Sequence, residues 1–330
     1  MTIALVTGAT GQDGWYLCAQ LARDGVEIHV LVHREKDGRL EAGLAELQAA
    51  VPAIIVHEGD LADPVRLAAV IAEAGPDEIY NLGGISSVAF SWEQPGLTGR
   101  ITGVAVTELL HAAWALQERT GSPVRVVQAS SAEIFGRAIE VPQDETTPIA
   151  PVSPYGAAKA YAQHMVGLYR ARGLHAAAVI LYNHESPRRP PTFVTRKITR
   201  AAARIAAGLD TELRMGSFDV TRDWGWAEDY VAAMVAVQRH HEADDFVVAT
   251  GEAHTIGDFV RIAFARVGID DWERYVVIDP AFVRPADPTV QLGDASKARR
   301  ELGWRPTVAF EGMVHAMVDH DVALAAAGER

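Results

Sequence analysis

The chain contains a tyrosine and a lysine four positions apart, Tyr155 and Lys159, directly after a Ser-Pro pair. A Ser-Pro pair is typical of a helix N-cap followed by the first helical position, which predicts that Tyr155 and Lys159 share one helix face. A lysine ammonium favours the ionised form of a nearby phenol, and we therefore expect Lys159 to lower the pKa of Tyr155. The pair can then take a proton from a sugar hydroxyl while a hydride leaves the same carbon for a nicotinamide.

Ser131 and Glu133 follow an apolar segment, residues 124–129, that is typical of a buried strand. Ligands of parallel sheets bind at the carboxyl ends of the strands, so both side chains are expected in the site that holds Tyr155. The Ser131 hydroxyl can hydrogen-bond the reacting hydroxyl of a substrate. A carboxylate such as Glu133 can remove a proton beside a newly formed ketone, a step that a dehydrogenase or a 4-epimerase does not need. The alternative interpretation of Glu133 is a solvated loop residue.

A glycine-rich turn follows the first apolar segment and spans residues 7–14. Gly8 suits the backbone angles of a tight turn, Gly11 lets the main chain approach a pyrophosphate, and Gly14 lets the following helix pack close to the strand. The positive end of a helix that starts near Gln12 would hold the phosphates. The G-x-x-G-x-x-G spacing is typical of the short-chain dehydrogenase/reductase type of Rossmann domain, and it predicts a dinucleotide cofactor.

The residues after the second predicted strand indicate which nicotinamide cofactor binds. An acidic residue there would hold the ribose hydroxyl of NAD, whereas an arginine accommodates the additional phosphate of NADP. The strand ends in His33 and Arg34, and NADP is therefore predicted. Asp60 and Leu61, after the third predicted strand, are expected beside the adenine ring, although an aspartate at a strand end is also a common helix cap.

Apolar segments alternate with amphipathic helical patterns, which predicts an α/β fold with a doubly wound, parallel Rossmann sheet and a smaller C-terminal substrate-binding lobe. The predicted strands are residues 3–7, 26–32, 53–57, 78–82, 124–129, 176–181 and 246–251, and examples of predicted helices are residues 12–24, 64–74, 98–119 and 155–171. The predicted NADP-binding domain spans residues 1–181 with a return at about 218–251, and the predicted substrate-binding lobe spans residues 182–217 and 252–330.

With 43 acidic and 30 basic residues, the chain has a formal net charge of −13, which disfavours a nucleic-acid partner. Its apolar stretches are too short to cross a bilayer, and no secretory leader precedes the glycine-rich turn. The single cysteine, Cys18, excludes an internal disulfide and a cysteine-cluster metal site. We therefore expect a cytoplasmic protein without a membrane partner.

Two clusters of charged residues admit more than one interpretation. Residues 240–242, His-His-Glu, are followed by two aspartates, but their place at a predicted helix end favours a solvated loop, and we predict no metal. Arg196, Arg200 and Arg204 share one face of a predicted helix. They form either a solvated face paired with acidic residues or a clamp for a diphosphate.

Taken with these patterns, the sequence resembles the GDP-mannose 4,6-dehydratases, a family of extended short-chain dehydrogenases/reductases, from residue 2 to about residue 320. The Gln-Asp pair inside the glycine-rich turn and the run Asn-His-Glu-Ser-Pro-Arg-Arg at residues 183–189 are characteristic of this family. Further matching segments are residues 131–133, 153–155, 193–200, 222–225 and 284–285.

The resemblance implies an NADP-dependent dehydration of a nucleotide-linked hexose, with a GDP link expected, in a homo-dimer or homo-tetramer. A hydride leaves C4, Glu133 removes the C5 proton, water leaves from C6, and the hydride returns to C6. Ser131, Tyr155 and Lys159 complete the predicted catalytic set. The predicted cofactor-binding residues are Gly8, Thr10, Gly11, Gln12, Asp13, Gly14, Arg34, Asp60, Leu61, Leu82, Gly83, Ser86, Tyr155, Lys159, His184 and Arg189. The predicted substrate-binding residues are Ser86, Ser87, Glu133, Asn183, Val194, Lys197, Arg200, Arg222, Arg284 and Asp287.

Departures from the family pattern leave the sugar open. Ile85 and Ser87 stand where the family usually has glutamine and histidine, and residues 190–192, Pro-Pro-Thr, replace Gly-Glu-Asn. Asp287 is one methylene shorter than the glutamate expected at a ribose-binding position. Mannose, a heptose and an amino sugar are all compatible with the sequence. Two other functions also stay open: a nucleotide-sugar 4-epimerase or decarboxylase on the same fold, and a non-catalytic NADP-binding regulator.

Overall fold

The computed structural model describes residues 1–34, 43–280 and 290–328. Its helices and strands, in chain order, are β1 Ile3–Thr7, α1 Gln12–Arg23, β2 Glu27–Val32, α2 Leu44–Ala50, β3 Ile55–Glu58, α3 Pro64–Ala74, β4 Glu78–Asn81, α4 Val88–Glu93, α5 Pro95–Thr98, α6 Ala105–Thr120, β5 Arg125–Ala129, α7 Pro154–Ala171, β6 His175–Leu181, β7 Asn183–Glu185, α8 Val194–Ala206, β8 Leu213–Met215, β9 Thr221–Arg222, β10 Trp224–Trp226, α9 Ala227–Arg239, β11 Phe246–Val248, β12 His254–Thr255, α10 Ile256–Arg266, β13 Val276–Ile278, β14 Val290–Gln291, α11 Ser296–Glu301 and α12 Phe310–Ala326.

Within the described residues, seven parallel strands form the central sheet, in the order β11-β6-β5-β4-β1-β2-β3. The strand order reverses between β1 and β4, and open α/β sheets bind their ligands at such a switch point. The carboxyl ends of these two strands are joined there by a hydrogen bond of 2.6 Å from Thr7 Oγ1 to Asn81 Oδ1. The predicted Rossmann-type α/β fold is confirmed.

The predicted strands are confirmed, with small differences at their ends. The last one, predicted to reach residue 251, ends at Val248 because the next residues turn away to bind the Asp223 carboxylate. The predicted helix at residues 98–119 is not uniform, since a π-helical turn, Gly99–Val104, precedes α6. This turn brings Gly103 close to α7, where a Cβ on the glycine would lie 3.4 Å from the Ala158 carbonyl oxygen.

Strand residues are buried on both faces of the sheet, as a parallel sheet requires. Leu5 and Ile79 belong to an apolar cluster with α3, α6 and α7, whereas Val6 and Tyr80 belong to a cluster with α1 and α9. Each fully buried side chain of this size contributes about 1.5–3 kcal/mol to folding. The two clusters therefore hold the carboxyl edge of the sheet in a fixed position.

A third apolar cluster lies in the C-terminal half, where α8, α10 and α12 pack around Trp224, Phe259 and Phe310. Three small sheets accompany it: β7 with β10, β8 with β13, and β9 between β12 and β14. The chain returns to the main sheet through α9 and β11, which pairs with β6. This arrangement supports the two predicted lobes, whose boundaries stay predictions. No helix in the described parts of the chain is both long and apolar enough to cross a membrane.

Candidate active site

The glycine-rich turn between β1 and α1 has no room for a side chain at two of its glycines. Gly8 has a φ of +68°, and a Cβ there would lie 2.8 Å from the main-chain nitrogen of Gly83. A Cβ on Gly14 would lie 2.2 Å from the carbonyl oxygen of Gly8. Gly11 is the N-cap of α1 and has no capping side chain. The first-turn N–H groups of α1 therefore suit an anion, and the turn fits the diphosphate of a dinucleotide.

The Gln-Asp pair of this turn binds the segment that begins with β7. Gln12 Nε2 donates to the His184 carbonyl oxygen at 3.1 Å, and Ser186 Oγ donates to Gln12 Oε1 at 2.9 Å. Asp13 Oδ2 lies 2.8 Å from His184 Nε2. Burial lowers the pKa of His184, but the charge and hydrogen bond of Asp13 outweigh burial, and the pKa is raised above its usual value. The structure thus brings together three residues that the sequence predicted near the cofactor.

Arg34 lies just beyond β2 and forms a bidentate ion pair with Glu58, with both nitrogen–oxygen distances at 2.6 Å. Asp60 Oδ1 accepts a hydrogen bond of 2.8 Å from the main chain two residues later, so it shapes the turn after β3. Leu61 lies against Gly83, where a Cβ would be 2.5 Å from Leu61 Cδ1. These residues follow the carboxyl ends of neighbouring strands, on the edge of the sheet where the glycine-rich turn lies.

The segment after β4 carries further predicted contacts. The main-chain nitrogen of Gly83 donates to Thr7 Oγ1 at 3.0 Å, which anchors the segment to β1. Leu82 is half-buried and Ser86 is exposed. Ser87 Oγ accepts a hydrogen bond of 3.1 Å from the main chain three residues later and so caps α4. Its hydroxyl therefore has a local structural partner.

Tyr155 and Lys159 are buried one turn apart on α7. Lys159 Nζ donates to the Ala129 carbonyl oxygen at 2.7 Å and lies 5.8 Å from the centre of the Tyr155 ring. Burial raises the pKa of Tyr155 to about 12. A hydrogen bond with Ser131 opposes this rise, and the negative charge of Glu133 adds to it. Burial also lowers the pKa of Lys159 to about 8. The prediction of a lowered pKa for Tyr155 is therefore wrong for this structure, because desolvation of the phenol dominates.

Ser131 and Glu133 follow β5 and lie at a short 3-10 turn, Ala132–Ile134. Ser131 Oγ accepts a hydrogen bond of 3.3 Å from the main-chain nitrogen of Glu133. The start of α7 packs directly on this turn, since a Cβ on Gly156 would lie 2.5 Å from the Glu133 carbonyl oxygen. The absence of a side chain at Gly156 thus keeps the turn close to the neighbouring Tyr155.

One residue at this site, Gln291 on β14, was not predicted from the sequence. Its Nε2 donates to Glu133 Oε1 at 3.1 Å, and the side chain is buried. Gln291 stands in register with Arg222 of β9. No local pattern marks the glutamine, because 158 positions separate it from Glu133.

Apart from Ser86, Ser87 and Glu133, the predicted substrate-binding residues that the structure describes lie on β7, β9 and α8. Asn183 is half-buried at the start of β7, and Arg222 is buried on β9. Val194 and Lys197 are half-buried and nearly one turn apart on α8. Burial lowers the pKa of Lys197, against the charge of Asp279. Two further predicted residues lie outside the described part of the chain: Arg284 and Asp287.

Arg189 joins β7 to the start of α8. Its Nε lies 3.1 Å from the Glu185 carboxylate, which also accepts a hydrogen bond of 2.6 Å from Thr195 Oγ1. Its guanidinium stacks 3.9 Å above the centre of the Phe193 ring. Burial raises the pKa of Glu185, against the charge of Arg189.

The three arginines of α8 have different surroundings. Arg196 is buried in an ion pair with Asp321 of α12, at a nitrogen–oxygen distance of 2.7 Å. Arg204 pairs with Asp210 at 2.6 Å. The clamp hypothesis is therefore wrong for Arg196, whose guanidinium is committed to a structural contact, and Arg204 fits the paired-face interpretation. Arg200 is half-buried between them and stays a predicted substrate residue.

Among the residues that the structure describes, no group of three or more histidine, cysteine or acidic side chains is arranged to hold a metal ion. The aspartates after residues 240–242 form ion pairs instead. Asp244 pairs with Lys297, and Asp245 pairs with Arg170. These contacts tie β11 to α7 and α11.

A dinucleotide turn and a buried Tyr-Lys pair at one edge of a Rossmann sheet define the class of this protein, the extended short-chain dehydrogenases/reductases with a nicotinamide cofactor. Within that class, the chain belongs to the GDP-mannose 4,6 dehydratase family, whose family model matches residues 5–317.

Individual relatives agree with this assignment. The chain is 44% identical to GDP-mannose 4,6 dehydratase 1 of Arabidopsis thaliana over 98% of this chain and 90% of the relative. It is 41% identical to GDP-mannose 4,6 dehydratase of Homo sapiens over 98% and 92% of the two chains. A solved structure of dTDP-glucose 4,6-dehydratase from Streptomyces venezuelae, with NAD and TYD bound, is 25% identical, with a TM-score of 0.83 over 97% of this chain and 96% of that one.

Proposed function

We propose that the chain is an NADP-dependent nucleotide-sugar 4,6-dehydratase, which converts GDP-mannose or a close relative to the GDP-4-keto-6-deoxy sugar. The observation that carries the proposal is the position of Glu133 beside the buried Tyr155 and Lys159. Oxidation at C4 needs the tyrosine and the lysine alone, whereas loss of the C6 hydroxyl needs a base for the C5 proton. Membership of the GDP-mannose 4,6 dehydratase family supports the same reaction.

A nicotinamide cofactor, when bound, accepts a hydride from C4 of the hexose and returns it at C6. Burial raises the pKa of Tyr155, and the hydrogen bond with Ser131 opposes this rise. In its ionised form, Tyr155 takes the proton of the C4 hydroxyl, so that C4 becomes a ketone. Glu133 takes the C5 proton, which the ketone has made acidic, and passes it to the C6 hydroxyl, which leaves as water. Tyr155 supplies the proton that restores C5 when C6 is reduced. The sum is the loss of one water, and each side chain ends in its starting protonation state.

NADP is proposed over NAD because an arginine, Arg34, follows β2 where an acidic residue would suit NAD. Its partner Glu58 is half exposed, as is Arg34 itself. An ion pair of this kind is worth no more than about 1 kcal/mol. A 2′-phosphate can therefore compete with Glu58 for the guanidinium.

The nucleotide half of the substrate is proposed to lie between β7, β9 and α8. Asn183, Lys197, Arg200 and Arg222 would supply hydrogen bonds and positive charge to the diphosphate and the base, and Val194 would supply an apolar contact. Arg284 and Asp287 complete the proposed set from the sequence. A GDP link is proposed on the strength of the family.

The test is incubation of the purified protein with NADP and a panel of GDP-, UDP- and dTDP-linked hexoses, followed by mass spectrometry. We expect the loss of one water without net formation of reduced cofactor. Unchanged mass with altered retention would identify an epimerase, and loss of carbon dioxide from a nucleotide-linked hexuronic acid added to the panel would identify a decarboxylase. No turnover across the panel would favour a non-catalytic regulator.

Glu133→Gln is the companion variant. We expect dehydration to fall by about 100-fold or more, the usual scale for a positioned acid or base, while cofactor and nucleotide-sugar binding persist. Near-normal turnover in this variant would refute the dehydratase assignment.

Self-association is proposed through the outer faces of α7 and of the π-helical turn that leads into α6. Tyr161 and Leu168 of α7 are 44% and 62% exposed, and Val104 at the end of the π-helical turn is 48% exposed. A homo-dimer formed here would cover them, and a homo-tetramer would need a second contact. Light scattering of the wild type and of Leu168→Glu tests this contact, and an unchanged mass in the variant would exclude it.

A cytoplasmic location is likewise proposed, from the lone buried cysteine.

A further inference from the structure

A direct contact joins the C-terminal part of the chain to the proposed base. Gln291 Nε2 donates a hydrogen bond of 3.1 Å to Glu133 Oε1. Gln291 is only 3% exposed, so water competes little for this bond. Within the described residues, it is the only hydrogen bond that the Glu133 carboxylate accepts. The orientation of Glu133 therefore depends on Gln291.

The main chain around Gln291 is fixed on both sides. Its carbonyl oxygen accepts a hydrogen bond of 3.0 Å from the main-chain nitrogen of Asp223, and the residue stands in register with Arg222. On the other side, the main-chain nitrogen of Gln143 donates to the Leu292 carbonyl oxygen at 2.8 Å. The amide donor is thus held by a small sheet and not by a free loop.

Folding stability alone does not account for a glutamine at this position. Gln291 Oε1 is buried and has no hydrogen-bond partner among the described residues. An unpaired buried carbonyl oxygen costs about 1–3 kcal/mol, so an apolar side chain of similar size would suit the fold at least as well. The feature that an apolar side chain could not supply is the hydrogen bond to Glu133.

We propose that Gln291 is a positioning residue for Glu133, which it holds in the orientation needed to remove the C5 proton. The inference rests on the proposed role of Glu133 as the base. A carbon acid gives up its proton only to a well-aligned carboxylate, and a misplacement of about 1 Å can cost about 100-fold in rate. Loss of the bond should therefore slow elimination without slowing the oxidation at C4 that precedes it.

Single-turnover kinetics separate the two steps. The near-ultraviolet absorbance of reduced nicotinamide rises as C4 is oxidised and falls as C6 is reduced. In Gln291→Leu we expect the rise to stay within about twofold of the wild type and the fall to slow by about 10- to 100-fold. Reduced nicotinamide then accumulates, a signature that general loss of structure would not produce.

Gln238→Leu is the matched control. Gln238 is also a buried glutamine with an unpaired Oε1, but its Nε2 donates to the Arg125 carbonyl oxygen at 3.0 Å, at the start of β5 and away from Glu133. We expect no accumulation of reduced nicotinamide in this variant. If Gln291→Leu does not fold, Gln291→Asn takes its place, since it keeps the amide but shortens its reach by one methylene.

Each remaining outcome has a defined meaning. Equal slowing of both phases in the Gln291 variants, or no slowing at all, would overturn the positioning role. Glu133→Gln, run alongside, should accumulate reduced nicotinamide at least as strongly. If it does not, the base role of Glu133 fails, and this failure is distinct from that of Gln291.

Discussion

His184 Nε2 lies 2.8 Å from Asp13 Oδ2, so an ion pair joins the first turn of α1 to β7. Burial alone would raise the pKa of Asp13, but the charge and hydrogen bond of His184 bring it below its usual value. The same contact raises the pKa of His184 in spite of burial. Folding therefore favours the charged forms of both residues and ties the glycine-rich turn to β7.

We expect Asp13→Asn to remove a pH-dependent part of the stability. Because folding raises the pKa of His184 and lowers that of Asp13, the contribution of the pair is complete between about pH 4 and about pH 6.5, and it is lost as the pH rises through the folded value of His184. The midpoint temperature of thermal unfolding of the wild type should thus decrease as the pH is raised from about 6 to about 9. The decrease should be smaller in Asp13→Asn. His241→Gln, at an exposed histidine, is the control. The same pH dependence in Asp13→Asn and wild type would contradict the ion pair.

Arg34→Ala should weaken NADP much more than NAD, because only NADP carries a phosphate for the guanidinium to bind. Glu58→Gln releases Arg34 from its partner and should leave NADP binding unchanged or slightly stronger. Fluorescence titration of both cofactors against the three proteins measures the difference. An equal loss for NAD and NADP would mean that Arg34 has a structural role only.

The buried pair of Arg196 and Asp321 should matter far more for stability than an exposed pair on the same helix. Asp321→Asn leaves a buried guanidinium without its counter-charge, and we expect the free energy of unfolding to fall by about 3–5 kcal/mol. Asp319→Asn breaks the exposed pair with Arg266 and should cost about 0–1 kcal/mol. Urea denaturation followed by circular dichroism compares them. Similar losses in the free energy of unfolding for the two variants would show that burial does not decide how much an ion pair contributes to stability.

This chain differs from the family pattern around the proposed sugar site, and these differences should change which hexose reacts best. Ile85 is half-buried after β4 and has no hydrogen-bonding side chain, and the short hydroxyl of Ser87 accepts the capping bond of α4, so the two residues cannot make the same set of hydrogen bonds as glutamine and histidine. Pro190 and Pro191 add no donor side chain. A site without matching hydrogen bonds does not reward hydroxyl groups of the substrate. We expect kcat/KM for GDP-mannose to be modest or to be surpassed by a relative altered at C2 or C6. If kcat/KM for GDP-mannose exceeded that for every other nucleotide sugar in the panel by a wide margin, these sequence differences would have no effect on substrate choice.

The parts of the site that depend on short-range spacing could be predicted from the sequence. Gly8 and Gly14 stand where the turn has no room for a Cβ, and Tyr155 and Lys159 lie one turn apart on a helix that Ser153 caps. In each case the pattern is recognised from residues fewer than seven positions apart, although the main-chain atom that excludes a Cβ at Gly8 belongs to the distant Gly83. The alternation of strands and helices likewise follows from local apolar periodicity.

The parts that depend on tertiary packing could not be predicted. Gln291 reaches Glu133 across 158 positions, and the partner of Arg196 is 125 positions away. The pKa of Tyr155 is governed by the burial of the phenol, which is a property of the whole fold and not of the Tyr-x-x-x-Lys spacing. Neither effect leaves a mark within a short segment of sequence.

The contact at Gly156 separates reaction chemistry from substrate choice. There the helix that carries Tyr155 touches the main chain of Glu133, so the distance between the main chains of the two proposed proton acceptors is set by a backbone contact. On the proposed mechanism, residues of the loop after β4 could change, and with them the hexose that is accepted, without altering this contact. A side chain at position 156 would have the opposite effect and would impair every substrate alike. In such a scaffold, specificity can diverge among descendants that all retain one reaction.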